Sequence, residues 1–379
     1  MTKKIIALIV AMLMVASVFV ACGNGGGGAA DGYTSGNTEY FIGGTGPLTG
    51  DASSYGISVQ QGAQLAIEEI NANGGLNGVN FKFDIKDDQA AADKASTAYD
   101  QLYEAGMQIS IGSVTSGSCE AFAAKAATDN LFFITPSASA DICIAEPNAF
   151  RVCFGDPDQG VLAADELVAN FENIGAIYDK SDTYSTGIYE AFDARMKELG
   201  VEYKTQTFDA ENKVDFSTQV EALKDCDVIF LPFYYTEAGL VAKTAVAKGC
   251  EAVLFGCDGL DGVAGQVDET VTNTIKYITP FDVNSEDEKV AAFVTAYTEK
   301  YGSAPDQFAA DGYDAVMVIF EAMKAAGVND VTIAPDALCD TVKSTITGDG
   351  FVYEGVTGSM TWDASGAATK SPIIIELGE

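Results

Sequence analysis

The chain has 379 residues, 47% hydrophobic and 20% charged, with 55 acidic against 21 basic side chains and a formal net charge of -34 at pH 7. That length can bury more than one sizeable core, and the acidity argues against nucleic acid as a partner, because binding it needs a basic footprint. Histidine is absent, which removes Ser-His-Asp and Cys-His catalysis and histidine-ligated zinc together.

At the start, Lys3 and Lys4 precede an apolar run over 5–21 that ends in Val20-Ala21-Cys22-Gly23. A basic start, a short apolar core and small residues before a cysteine resemble a bacterial lipoprotein signal. That implies cleavage after residue 21, a lipid on Cys22 and an extracytoplasmic protein anchored to the outer face of the cell membrane. Residues 22–37 are dominated by glycine and other small or polar residues, the composition of a flexible tether.

The remainder alternates strand and helix. Residues 40–43 start a strand that runs into GGTGPLTGDASSYG, which lacks the GxGxxG and GKS or GKT spacings of phosphate loops. A helix follows over 58–71 with Ala63, Ile67 and Ile70 on one stripe. A strand at 81–85 and a helix at 90–104 come next. The pattern then gives a strand at 108–111, a helix at 121–128 and a strand at 131–134. The turns after these two strands carry Thr115, Ser116 and Ser118, then Thr135, Ser137 and Ser139. Parallel strands of an open sheet deliver such turns to one edge, where hydroxyls and unpaired helix-start amides suit a carboxylate. Capping and turn filling account for any single one of these hydroxyls; two clusters on neighbouring strand ends are harder to account for that way.

After an extended stretch at 150–154 the alternation restarts. Helices are expected at 158–170, 188–199, 216–223 and 240–248, with strands at 174–178, 201–207, 227–231, 252–255 and 275–279. Two successive blocks imply an α/β protein with two doubly wound parallel-sheet lobes joined by a hinge. The expected lobes are 38–156 plus 281–356 and 157–280 plus 357–379. The tail reads as helices at 287–300, 308–326 and 335–345, then extended pieces at 350–353, 358–362 and 373–376. Asp311, Tyr313 and the single Trp362 read as packing or capping residues.

Beyond Cys22 there are seven cysteines. An exported location permits disulfides, and an odd number leaves at least one thiol unpaired. Cys143 and Cys153, bracketing a turn, are the first candidate pair; Cys250 and Cys257 are the second. No CxxC spacing is present, and neither a metal nor a cofactor is expected.

The order GPLTG, GAQLAIEEINANGGLNG, IGSVTSGS, FITPSASAD, FRVCFGDPDQG, DKSDTYSTG, FGCDGLDG and ADGYDAV resembles the type I periplasmic binding proteins, and within them the branch of the leucine/isoleucine/valine-binding protein that feeds ABC importers. The resemblance spans nearly all of the chain after the tether. It implies the hinged two-lobe fold and a site for an amino acid. Ser116 and Ser139, with Thr115 and the backbone around Ser137, would take the carboxylate. Asp258, in FGCDG, would take the ammonium, where the branched-chain binders have the longer glutamate. Tyr55, Tyr184, Tyr234 and Phe308 match the aromatic positions that close over the ligand. For Asp258 alone, capping of the following turn is the simpler reading of the residues.

The expected function is capture of a branched-chain or similar hydrophobic amino acid between the lobes by a monomer that delivers it to ABC permease subunits, without catalysis. Alternatives are the same fold holding an amide or aromatic acid, a sensor that presents its closed form to a receptor, and, remotely, an exported hydrolase using acids such as Asp258 and Asp261.

Overall fold

The computed structural model describes residues 36–378. The expected signal segment, Cys22 and nearly all of the expected tether lie outside the described residues.

Residues 36–378 build two open sheets. The first contains β1 (Tyr40–Gly46), β2 (Phe81–Asp87), β3 (Ile109–Ser113), β4 (Phe133–Thr135) and β5 (Ala149–Arg151), in the order β2-β1-β3-β4-β5. All its neighbours run parallel. The second contains β6 (Ile174–Asp179), β7 (Lys204–Phe208), β8 (Val228–Leu231), β9 (Val253–Gly256), β10 (Ile275–Thr279) and β13 (Ile373–Glu376), in the order β13-β10-β9-β8-β6-β7. Only β13, against β10, is antiparallel. A small hairpin, β11 (Tyr353–Gly355) with β12 (Gly358–Met360), stands apart.

Strands this apolar are buried on both faces, as parallel sheets require, and the two-residue period sorts their side chains. Tyr40, Ile42, Ile109 and Ile111 face one layer while Phe41 and Phe133 face the other. In the second sheet Ile229 and Leu231 point one way, and Val228 and Phe230 the opposite way. The helices that cover the sheets are α1 (Ser53–Ala72), α2 (Ala92–Glu104), α3 (Ser116–Asp129), α4 (Asp156–Asn170), α5 (Thr183–Leu199), α6 (Ser217–Leu223), α7 (Tyr235–Lys248), α8 (Glu288–Tyr301), α9 (Gln307–Ala325) and α10 (Pro335–Ile346). Helix α9 lies on α1 at a spacing only glycine permits: a Cβ at Gly62 would stand 1.8 Å from the Ala309 carbonyl oxygen. That contact returns the tail to the first lobe, and β13 then completes the second.

The backbone therefore passes between the sheets three times, after β5, after β10 and before β13. Buried polar contacts tie these crossings together. Lys370 Nζ donates to the Val152 carbonyl and to Asp311 Oδ1, each at 2.8 Å, with both side chains of the pair at most 3% exposed. The Trp362 indole donates to the Arg151 carbonyl at 2.8 Å. Asp311 and Trp362 thus pack and pair within the hinge. Tyr313 hydrogen-bonds Glu69.

Three expectations are corrected. Strand β5 ends at Arg151, three residues short of the expected end. Neither candidate disulfide is formed: the seven cysteines among the described residues are all free and buried. Cys143 lies in the layer that holds Cys119, its thiol 3.6 Å from the Ser116 carbonyl, and contact with Cys119 together with burial pushes its thiol well above the usual range. Cys250 and Cys257 sit in layers on opposite faces of the second sheet. Third, four helices begin earlier than their apolar stripes do: α1 by five residues, and α3, α5 and α7 also by five. Their added first turns carry Tyr55, Ser116 and Tyr184, and Thr115 and Tyr234 cap α3 and α7.

Candidate functional site

In each sheet the strand order reverses beside the strand that comes first in sequence, between β1 and β3 and between β6 and β8. Helix starts on either side of such a point leave a crevice at the carboxyl ends of the strands. Tyr55 is in the first turn of α1, Ser116 opens α3, Tyr184 is the second residue of α5, Tyr234 caps α7 and Phe308 is the second residue of α9. Asp258 opens a short 3-10 turn, Asp258–Leu260, after β9. Every one of these positions is the first turn of a helix, where amide groups have no partner within the helix.

The structure brings Tyr55, Thr115, Ser116, Ser137, Tyr184, Tyr234, Asp258 and Phe308 around one cavity of about 10 Å³ between the lobes, with Val114 and Gly259 completing its wall. Ser139, also expected there, does not line this cavity and is fully buried. A volume of that size holds about one water molecule, so a metabolite enters only when the lobes part or the rings swing aside.

On the first-lobe side Ser137 Oγ donates to the Val114 carbonyl at 2.7 Å, and Ser116 Oγ accepts from the Ala140 amide at 3.3 Å. Thr115 Oγ1 and Ser139 Oγ are buried without a hydrogen-bond partner. The Thr115 hydroxyl at the N-terminus of α3 and the Ser139 hydroxyl in the turn after β4 make a polar edge suited to a carboxylate.

On the second-lobe side the Tyr184 hydroxyl donates to Asp258 Oδ1 at 2.6 Å and accepts from the Gly259 amide at 2.9 Å. The backbone of Asp258 is held separately. Its amide donates to Gln159 Oε1 at 3.0 Å, and its carbonyl accepts from Gln307 Nε2 at 2.5 Å. Asp258 is 4% exposed, and burial raises its carboxyl to about 6 against the pull of Tyr184 and Gln159. The carboxylate is thus formed at neutral pH with little solvation, the condition under which a cation binds it best.

Aromatic rings close the space between these poles. Tyr234 stacks on Tyr184 with centroids 5.2 Å apart, and Tyr55 lies 4.2 Å from Phe308. The Tyr55 hydroxyl reaches the Gly259 carbonyl of the other lobe and accepts from the Tyr235 amide. At the mouth a second chamber of about 300 Å³, which Thr115 and Tyr234 also line, is spanned by Lys213 between Asp51 of the first lobe and Glu237 of the second. The Thr236 hydroxyl adds a bond to the Asp51 carbonyl.

Sequence reasoning missed Gln159, Gln307 and Tyr235. Gln159 was signalled by the FGDPDQG motif, which follows β5 and opens α4. Gln307 and Tyr235 act on partners distant in sequence, through a side-chain amide and a backbone amide, and no local pattern marks them. Among the described residues no group of three or more His, Cys, Asp or Glu could hold a metal ion.

Two doubly wound lobes facing one another across a polar and aromatic cleft make a two-lobed binding protein of type I. The family model described as periplasmic binding protein matches residues 39–375, and the chain belongs to that family. It is 29% identical over 298 residues to the Leu/Ile/Val-binding protein homolog 1 of Brucella abortus, covering 75% of this chain and 78% of that one. Among solved structures it is similar to the branched-chain amino acid transporter substrate-binding protein LivJ of Streptococcus pneumoniae in complex with isoleucine, with 29% identity, a TM-score of 0.80 and coverage of 89% and 95% of the two chains. The leucine-binding protein LivK of Thermotoga maritima gives 26%, 0.78, 88% and 94%. The family is one of extracytoplasmic solute binders. Among the described residues no helix is long and apolar enough to cross a membrane.

Proposed function

We propose that this protein captures an α-amino acid with an aliphatic side chain between its lobes and delivers it to the permease of an ABC importer. The observation that carries the reading is the pairing of opposite demands across one cavity: spare hydroxyls and helix-start amides on the first lobe, a buried carboxylate on the second. A zwitterion answers both at once, and only with the lobes together, so the ligand favours closure through contacts the open form cannot make. Tyr55, Tyr184, Tyr234 and Phe308 supply an apolar wall for the side chain, and the relatives and neighbours named for leucine, isoleucine and valine agree with that wall. The moving bodies are 38–156 with 281–356 and 157–280 with 357–379. A lipid on Cys22, with the glycine-rich stretch as tether, would hold a monomer at the membrane beside its permease.

A thermal-shift panel of the free amino acids tests this reading, because a compound that binds only the folded chain raises its melting temperature. A shift with leucine, isoleucine or valine is expected; a panel without any shift rejects the amino acid as ligand.

The pH dependence follows from Asp258. Burial raises its carboxyl to about 6 in the free protein, and a bound ammonium lowers it again by favouring the charged form. The ammonium contact is therefore fully available above pH 6. Affinity falls as pH drops through about 6, approaching tenfold for each further unit. Calorimetric titrations with leucine between pH 4.5 and 8 check the slope; an affinity that is level or rises toward low pH contradicts the assignment.

A further inference from the structure

Asp156 is the first residue of α4 and is 1% exposed, yet neither of its carboxylate oxygens has a hydrogen-bond partner. Ser139 Oγ and Gln159 Nε2 beside it are equally unpaired. Buried polar groups in folded proteins nearly always find partners, and leaving a charged one unpaired is costly. The carboxylate oxygens and the Ser139 hydroxyl can accept hydrogen bonds, whereas the Gln159 amide nitrogen only donates, so Asp156 is the group that a donor would satisfy.

Its location says what. The Asp156 amide donates to the Ser139 carbonyl at 3.1 Å, which seats the side chain beneath the second serine turn. Asp156 Oδ2 lies against Gly187 so closely that a Cβ there would stand 2.5 Å from it. Gly187 is about one turn beyond Tyr184 on α5, and Tyr184 holds Asp258. From the other side Gln159, one turn beyond Asp156 on α4, accepts from the Asp258 amide. The two carboxylates thus flank the same glutamine and the same first turn of α5.

Neither neighbouring cation is paired with Asp156, although Arg151 Nε is itself buried without a partner. Arg151 donates to the Ser139 carbonyl and to Asp141, and Lys370 is paired with Asp311. Burial, with repulsion from Asp258 and Asp141 added, holds the Asp156 carboxyl well above the usual range, while the adjacent Ser139 hydroxyl and, less strongly, Arg151 pull the other way. Two carboxyl groups in one dry site keep a proton between them because both cannot ionise together.

We infer that Asp156 is a second carboxylate of the ammonium subsite, and that the Asp156–Asp258 pair releases one proton to solvent when the ligand's ammonium arrives. The inference rests on the amino-acid reading above. An ammonium brings three donors, which the oxygens of Asp258 and Asp156 can accept. In the free protein the pair is one carboxylic acid and one carboxylate; in the complex it is two carboxylates facing one cation, and the departing proton balances the change. Affinity then continues to rise with pH beyond the range over which Asp258 alone would carry it.

The test is calorimetric titration of the purified chain with L-leucine at pH 7 in phosphate, imidazole and Tris, whose ionisation heats differ. The slope of the observed heat against buffer heat counts the protons released. Close to one proton per leucine is expected for the native chain. Asp156→Asn should bind at least tenfold more weakly and release almost none, with its melting curve showing that it is folded. A native chain that binds leucine with no proton released, or an Asp156→Asn chain that matches it in affinity and proton count, overturns the second carboxylate and leaves the amino-acid reading standing. If neither leucine nor any other free amino acid binds the native chain, the amino-acid reading fails and this inference falls with it.

Discussion

Asp258→Ala is expected to weaken amino-acid binding by about thirtyfold or more while leaving the fold intact. Truncating one partner of a buried, charge-assisted contact costs about 2 to 5 kcal/mol, and each 1.4 kcal/mol is a factor of ten. The change is confined to the side chain. The loop that carries residue 258 is held through its backbone by Gln159 and Gln307, and both contacts survive an alanine. Within the protein the carboxylate's partner is the Tyr184 hydroxyl, which keeps its bond from the Gly259 amide. Because the carboxylate is buried at a cost in desolvation, its removal should not lower the melting temperature of the free protein. Titration with leucine and a melting curve of the same sample check both halves. Undiminished affinity would remove Asp258 from the ammonium role.

Lys370→Met is expected to destabilise the protein by about 3 kcal/mol through the hinge, in the range for breaking a buried ion pair by removing one partner. Lys370 joins the first crossing at Val152 to α9 at Asp311. Its loss leaves the Asp311 carboxylate buried without a cation and the Val152 carbonyl short of a donor. Burial already raises Asp311 to about 6 with Lys370 in place, so the lone acid takes up a proton, which keeps the loss toward the lower end of the range. Adding Asp311→Leu should restore most of the stability, since a buried pair and an apolar replacement of similar volume are close in energy. Urea unfolding measures both: a lower midpoint at unchanged slope for the single variant, and a recovered midpoint for the double. A single variant as stable as the native chain would show that the pair does not secure the hinge.

The fold was legible wherever a local period carries it. Runs such as Val228–Leu231 are apolar at every position because both faces of a parallel sheet are covered, and the stripe of Ala63, Ile67 and Ile70 follows from the face α1 turns inward. Helix starts were less legible. Thr115 and Tyr234 stand at the caps of α3 and α7 without a side-chain cap bond, as does Ala52 at α1, so hydrophobic periodicity alone placed those starts too late. At α5 the signal was present, since Asp182 accepts from the Ser185 amide, yet the apolar stripe still begins later, at Ile188.

The candidate site was legible as residue types at strand ends, and the resemblance to a known family assigned their roles. What remained hidden depends on distant packing. The Lys370–Asp311 pair joins residues 59 apart in sequence. The burial of Asp156 depends on how α4 meets α5, although its motif lay in plain view. Cysteine spacing misled for the same reason: Cys143 and Cys153 are near in sequence, but the thiol of Cys143 turns toward the start of α3.

The central claim is that one dipolar molecule joins the lobes, its anion on the serine turns and its cation on Asp258. Calorimetric titration with leucine beside its two one-pole analogues, 4-methyl-2-oxopentanoate without the ammonium and 3-methylbutylamine without the carboxylate, tests it most directly. Both analogues should bind at least a hundredfold more weakly than leucine. If either binds within threefold of leucine, the two-pole bridge is wrong.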